Sequence, residues 1–285
     1  MDKAIVEDKQ YNDELSNYLY NHRALNYFVM SHTKQKCETD PFLINSIAET
    51  KSKQYIVFHE ESLNVEKDGP TKEIIVSKKR SFEAASAYKG KKVAVLNFAN
   101  SHVIGGGPFF ASAQEESLCR TSTLFECLLK EEKTFYQYHK LLFDNHKITS
   151  WGNDDLIYSP GVVVFKTDES APKMMKQEDW YKVDIITSAA PEMKYDGQMD
   201  DATYSTKGGL SRLTKVFEVA KKEGVEVLIL GAWGCGAFSN PPTAVASIFK
   251  KLCSEYSFET IEFAIDDSRR STGNYDIFKN IICNN

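Results

Sequence analysis

The 285-residue chain contains no run of about 18 apolar residues, so no membrane span is expected. It has no basic excess. Against 40 Asp and Glu stand 35 Lys and Arg, and the net charge of −5 argues against broad nucleic-acid binding. An acidic chain can still hold an anion in a local cradle. The six cysteines (Cys37, Cys119, Cys127, Cys235, Cys253 and Cys283) form no C-x-x-C pair and have no histidine cluster beside them. That spacing counts against a zinc site and against a disulfide framework. The opening MDKAIVEDKQYNDE is charged and lacks an apolar core, so no signal peptide is expected. These absences favour an intracellular, cytoplasmic protein. A nuclear location stays open, although Lys78-Lys79-Arg80 is too short to argue for import. Repeats, low-complexity blocks and linkers are also missing.

What is present is alternation. Hydrophobic residues make up 42% of the chain, enough to bury a core and to exclude wholesale disorder. Residues 1–10 read as a loose tail, and residues 11–32 show helical spacing. Asp40-Pro41 reads as the start of a second helix, with proline at its first position. Residues 74–76 and 93–98 are apolar strands around a short helix that Ser81 is placed to cap, a β-α-β arrangement that favours parallel strands. Residues 156–158 and 162–165 read as two short strands around Ser159-Pro160-Gly161, and residues 174–180 as surface. Residues 194–206 are polar and aperiodic and read as a mobile loop. Residues 210–222 form an amphipathic helix, and residues 225–230 a strand that is apolar at every position but Glu226. Asn240 reads as the cap of the helix that follows. The expected fold is a three-layer α/β/α domain with a mixed, mostly parallel sheet. Residues 1–70 form an N-terminal helical extension, and residues 71–285 form the core.

Two glycine-rich loops each follow an apolar strand and precede a helix. The first carries Gly105, Gly106 and Gly107, and the second runs Gly234-Cys235-Gly236-Ala237-Phe238. Glycine lets backbone approach a phosphate closely and adopt positive φ. In open α/β sheets ligands bind beyond the carboxyl ends of the strands, which puts both loops on one rim. Neither is a Walker A loop, and neither is the G-x-G-x-x-G turn that opens a dinucleotide fold. A diphosphate held between them fits better, though either alone could be an ordinary turn. Glu115 and Glu116 stand at the start of the helix after the first loop. Adjacent helical residues point about 100° apart. They therefore cannot flank one glycosidic bond at the roughly 5–9.5 Å spacing of two-carboxylate glycosidases. At most one is the acid; the bland alternative is a pair of solvated helix-start glutamates. Asn97 and Asn100 suit either a sugar hydroxyl or the turn itself. His102 is a weak candidate base. Cys235 lacks a nearby histidine to activate it. Cys119 reads as packing, and Trp233 as core.

Gly105–Gly107, six residues, then Gln114-Glu115-Glu116 resembles the signature of the poly(ADP-ribose) glycohydrolases, specifically their microbial-type branch with a macrodomain fold. NFAN at 97–100, QEESLCR at 114–120, YSPGV at 158–162, SAAP at 188–191, LGAWGCGAF at 230–238 and FAIDD at 263–267 extend the resemblance over most of the chain. His102-Val103-Ile104 departs from it, where a more polar segment with proline is expected. The resemblance implies hydrolysis of the ribose–ribose bond of poly(ADP-ribose) to release ADP-ribose, by a monomer that needs no metal or cofactor. It implies Glu116 as the catalytic acid, and Glu115 as the group that grips ribose hydroxyls. Asn100 would hold the terminal ribose, Gln114 would contact ligand near the adenosine, and Phe238 would pack on a ribose. The diphosphate would lie between the two loops. Two alternatives remain at this point. One is a hydrolase of another ADP-ribosyl link, on a protein or a nucleobase. The other is an ADP-ribose-binding macrodomain without hydrolysis.

Overall fold

A computed structural model of the protein describes residues 3–194, 200–267 and 272–283. The apolar runs become β1 (Tyr55–Val57), β2 (Glu73–Ser77), β3 (Val93–Ala99), β4 (Leu156–Val164), β5 (Tyr181–Ala189), β6 (Val227–Leu230) and β7 (Thr260–Ala264). They join in one sheet in the order β1-β4-β5-β3-β6-β7-β2. β5, β3, β6, β7 and β2 run parallel, while β4 and β1 are antiparallel to their neighbours. The sheet is thus mixed and mostly parallel, as the alternation of elements predicts. β2 and β3 do run in the same direction, but β6 and β7 lie between them.

Alternation along β3 shows why three layers form. Ala94 and Leu96 pack into a core with α9 (Leu210–Lys222), α10 (Pro242–Glu255) and α11 (Asn274–Cys283). Val93 and Val95 pack on the opposite face. There they meet α1 (Lys3–Glu14), α2 (His22–Thr39), α3 (Pro41–Lys53), α4 (Ser81–Ser86), α5 (Gln114–Thr121) and α6 (Leu124–Leu128). Side chains one residue apart on a strand face opposite ways, so a run apolar at every position demands cover on both faces. Each fully buried Val or Leu contributes about 1.5–3 kcal/mol. Asn97, two residues beyond Val95 on the same face, is therefore delivered under α5 with no exposure.

Several local readings change. The expected loose tail is helical over Lys3–Glu14, where the Tyr11 hydroxyl donates to Pro172 O (2.7 Å). Residues 156–164 form one strand. A bulge between Ser159 and Val162 absorbs Pro160, which has no N–H for the ladder, and the Gly161 N–H turns to Asp184 (2.9 Å). Met174 belongs to the core. Of the expected mobile loop, residues 195–199 lie outside the described residues. Asp201–Tyr204 form α8, and a π-type turn at Ser205–Gly209 leads into α9. Asp40 caps α3 through the N–H groups of Phe42 and Leu43, with Pro41 at the first position as expected.

Candidate active site

β3 and β6 pair only from Val93–Val227 to Val95–Ile229, then splay apart. The gap at their carboxyl ends is where the two glycine loops emerge. Gly231 shows how close they stay: a Cβ there would come 2.9 Å from Phe98 on β3 and 2.6 Å from the Ala264 carbonyl. Gln114 fills the splayed edge. Its Oε1 accepts from the Phe98 N–H (2.9 Å), and its Nε2 donates to Leu96 O (2.8 Å) and Ser81 Oγ (3.0 Å). The side chain stands in for the strand partner that β6 no longer supplies. Ser81, expected as a helix cap, serves this bridge; the N–H of Arg80 is met instead by Glu83 (3.1 Å).

Fastening Gln114 to β3 sets the first turn of α5, and with it the two acids. Glu115 is 3% exposed and Glu116 is 7% exposed. The Glu115 carboxylate is fully engaged. Oε1 accepts from Asn97 Nδ2 (3.3 Å), and Oε2 accepts from the Asn100 N–H (2.8 Å). Glu116 differs, since its Oε2 is buried without a hydrogen-bond partner among the described residues. Burial pushes both carboxyls up from the ordinary range. For Glu115 the Asn100 and Asn97 donors oppose the rise, and the Glu116 charge adds to it. For Glu116 a backbone N–H and the Arg120 guanidinium oppose it.

Gly106 closes over these acids. At φ +71° a Cβ would sit 2.4 Å from Glu116 Oε1 and 3.0 Å from Glu115 Oε2, so the two carboxyls share one small space under this glycine. Gly105 (φ +65°) backs on Cys119 Sγ and Phe125, which gives Cys119 the packing role expected of it. The N–H groups of Gly106 and Gly107 are engaged inside the loop, on Val103 O (3.1 Å) and Gly105 O (2.8 Å). Asn100 shapes the turn, its Oδ1 accepting from the N–H groups of His102 (2.8 Å) and Val103 (2.9 Å). Burial lowers the His102 imidazole. The loop is tied from behind by residues that the sequence did not single out. Arg120 donates to Pro108 O (2.8 Å) and Ala111 O (2.7 Å). Asn26 on α2 donates to Phe110 O, Ala111 O and Ser112 Oγ (3.2, 2.9 and 2.9 Å). Arg120 carried a signal, one helical turn beyond Glu116 and hence on the same face; Asn26 carried none.

The second loop is built the other way round. Asn240, 2% exposed, donates through Nδ2 to Pro191 O (2.7 Å), Gly234 O (3.1 Å) and Phe238 O (3.3 Å), and accepts from the Tyr204 hydroxyl (2.6 Å). It caps no helix; α10 begins at Pro242, with Pro241 before it. Trp233 is core, its Nε1 on Ser188 O (2.9 Å). Gly234 (φ +73°) leaves 2.6 Å between a would-be Cβ and Ala190. Gly236 and Ala237 are exposed and Phe238 is half-buried, and among the described residues their three successive N–H groups have no protein acceptor. Successive free amides of this kind form an anion-binding nest. Burial pushes the Cys235 thiol up and away from a reactive thiolate.

Comparison with known proteins gives this geometry its chemistry. Residues 24–167 match the family described as "Microbial-type PARG, catalytic domain". The chain belongs to the microbial-type poly(ADP-ribose) glycohydrolase family. It is a glycosyl hydrolase of poly(ADP-ribose), and the sheet and helices agree. The poly(ADP-ribose) glycohydrolase of Thermomonospora curvata is 28% identical, with a TM-score of 0.77 over 92% of this chain and 99% of that one. The same enzyme bound to the inhibitor ADP-HPD matches with a TM-score of 0.76 over 91% and 98%. The Deinococcus radiodurans glycohydrolase in complex with ADP-ribose is 27% identical, with a TM-score of 0.71 over 83% and 96%. No curated protein matches the chain. This glycohydrolase thus keeps both glutamates of the signature inside the splayed edge of its sheet, Glu115 with both oxygens hydrogen-bonded and Glu116 with an Oε2 that has no partner among the described residues.

Proposed function

We propose that Glu116 is the general acid/base of this glycohydrolase and that Glu115 orients the substrate. The observation that carries the assignment is the inequality of the two carboxyls. Glu115 is held by two donors, which favour its ionised form, whereas Glu116 Oε2 has no hydrogen-bond partner among the described residues. Two carboxyls in one buried space ionise in coupled steps. Burial raises both carboxyls, and Glu116 Oε2, unpartnered among the described residues, is the oxygen free to present a proton to the substrate. Glu116 then protonates the bridging ribose oxygen as its bond to the anomeric carbon breaks and an oxocarbenium-like centre develops. The departing chain carries the proton away as a hydroxyl. The Glu116 carboxylate takes a proton from the attacking water, whose oxygen bonds to the same carbon, and the acid is restored.

The free amides of Gly236, Ala237 and Phe238 support a diphosphate seat on the second loop. Gly105, Gly106, Gly107 and Asn100 border the terminal ribose, and Phe238 offers its ring to a ribose. The polymer is the substrate and ADP-ribose the product of a cytoplasmic monomer. The substrate diphosphate, fixed close to the reacting ribose, helps to stabilise the cationic centre, so a second flanking carboxylate is not required. Glu116→Gln tests the reading. ADP-ribose affinity should stay within about threefold while turnover falls by about 10²–10⁴-fold; unchanged turnover would sink it. Release of ADP-ribose measured side by side from polymer, mono-modified protein and mono-modified DNA separates the polymer from other linkages.

A further inference from the structure

One concave surface near the active site has no part in this chemistry. A hollow of about 500 Å³ lies between the N-terminal helices and the first glycine loop. Tyr18, Arg23, Tyr27 and Phe28 line it from one side and Phe110 from the other. Such a volume is within the range of small-ligand sites. Its rings are presented to solvent, with Tyr27 54% and Phe110 52% exposed. They face each other with centroids 6.0 Å apart and planes 27° from parallel. The Arg23 guanidinium lies 4.9 Å from the Phe110 ring centroid. Among the described residues Arg23 is the one charged group of the lining, and no carboxylate accompanies it. In a chain of net charge −5, a carboxylate-free patch of rings and guanidinium is a local site for a flat, anionic ligand.

Its position says which ligand. The N–H groups of Phe110 and Ala111 bond to Gly107 O (3.0 Å each), so Phe110 sits one turn from the glycines that close over Glu116. Asn26 fixes the backbone of this turn to α2, the helix that carries Arg23 and Tyr27. On the glycohydrolase reading, a chain leaving Glu116 along the first loop would meet this hollow. Phe110 lies four positions beyond Gly106, a span of at most about 14 Å.

We propose that the hollow is a second ADP-ribose subsite for the departing part of the polymer. Tyr27 and Phe110 take an adenine, and Arg23 takes the neighbouring diphosphate. The proposal rests on the glycohydrolase reading of the first site. Stacked bases and arginine–phosphate pairs are the two contacts that hold flexible nucleic-acid-like chains on proteins.

Binding measured in the Glu116→Gln background tests it. Tyr27→Ala and Arg23→Glu should each weaken the Kd for long poly(ADP-ribose) by about tenfold, the scale of one lost stacked base or phosphate contact. Both should leave the Kd of free ADP-ribose unchanged, and Tyr27→Trp should retain polymer binding. In the otherwise native enzyme the same two variants should raise the polymer KM about tenfold at constant kcat. Polymer affinity unmoved by either variant would overturn the subsite, as would ADP-ribose affinity falling in parallel. If the native enzyme released no ADP-ribose from polymer, the first-site reading would fail, while the polymer Kd values would still decide this one.

Discussion

Gly106→Ala separates the fold from the chemistry. The residue has φ +71°, where a side chain costs about 1–2 kcal/mol. For a domain of this size that lowers Tm by roughly 2–8 °C and leaves the protein folded. The second consequence is local. The new Cβ would stand 2.4 Å from Glu116 Oε1, about 1 Å short of the 3.4 Å at which ordinary contact begins. The obstructing atom is the end of a side chain, so the carboxyl, not the backbone, gives way. A displacement of about 1 Å at a reacting group costs about 10²-fold in rate. Expected, then, are a mild loss of Tm, ADP-ribose affinity within a few-fold of native, and kcat down about 10²-fold. Gly90→Ala is the control. It has φ +93° but nothing within 4 Å, so it should show the loss of Tm and none of the loss of rate. A double-mutant cycle locates the effect: added to Glu116→Gln, Gly106→Ala should reduce kcat little further. A Gly106→Ala enzyme with native kcat, or one that fails equally with and without Glu116, would refute the placement of the acid under this glycine.

Three further outcomes follow from the same geometry. Activity should fall as pH rises through the apparent pKa of the Glu115–Glu116 pair, because the pair is raised by burial and works only while it holds a proton; a kcat–pH profile whose basic limb survives Glu116→Gln would contradict this. The fold of the Glu116→Gln variant should be more stable than native at pH 8 and lose that advantage toward pH 4, read as Tm. A carboxyl whose native pKa is raised binds its proton more tightly folded than unfolded, so native stability declines as pH climbs from the usual 4.5 to the raised value. Asn240→Ala removes the amide that ties three loop carbonyls together, leaving Pro191 O without that donor and the Tyr204 hydroxyl without its acceptor, and should cost about 2–3 kcal/mol. It should also raise KM about tenfold with kcat nearly constant, since the diphosphate seat and not the acid is loosened.

The layers of the fold were legible because they depend on periodicity. The strand Val227–Leu230 is apolar at every position, and 210–222 has one apolar face; only a sheet covered on both sides satisfies both. The acids were legible as a pair, and helix geometry alone made them unequal. Which of the two is tethered was not legible. That depends on Asn97 and the Asn100 N–H reaching Glu115, and no spacing along the chain encodes the reach. Ser81 and Asn240 were read as helix caps because Ser and Asn before an apolar run usually are. Here the caps are met otherwise: Glu83 serves Arg80, and a proline opens α10. The hydroxyl and the amide are left free for tertiary bonds. The bulge in β4 was misread for a related reason. Pro160 and Gly161 look like the end of a strand, but the Asp184 carboxylate on the neighbouring strand takes the Gly161 N–H and lets the ladder resume.

The two glycine loops do different jobs, although both were expected to cradle an anion. In the first, the amides of Gly106 and Gly107 are already bonded within the loop, so its glycines serve chiefly to bring backbone against a buried carboxyl. In the second, one buried amide holds three carbonyl oxygens, and the N–H groups of Gly236, Ala237 and Phe238 have no protein acceptor among the described residues. Holding a loop by its carbonyls fixes the direction of its amides before any ligand arrives, so little reorganisation accompanies binding. A site in which one wall positions a proton and the other a diphosphate also fixes the distance between them. On this reading the enzyme selects a ribose with phosphate at one end and a departing oxygen at the other, and a ribose lacking the diphosphate should bind too weakly and too loosely to meet the acid.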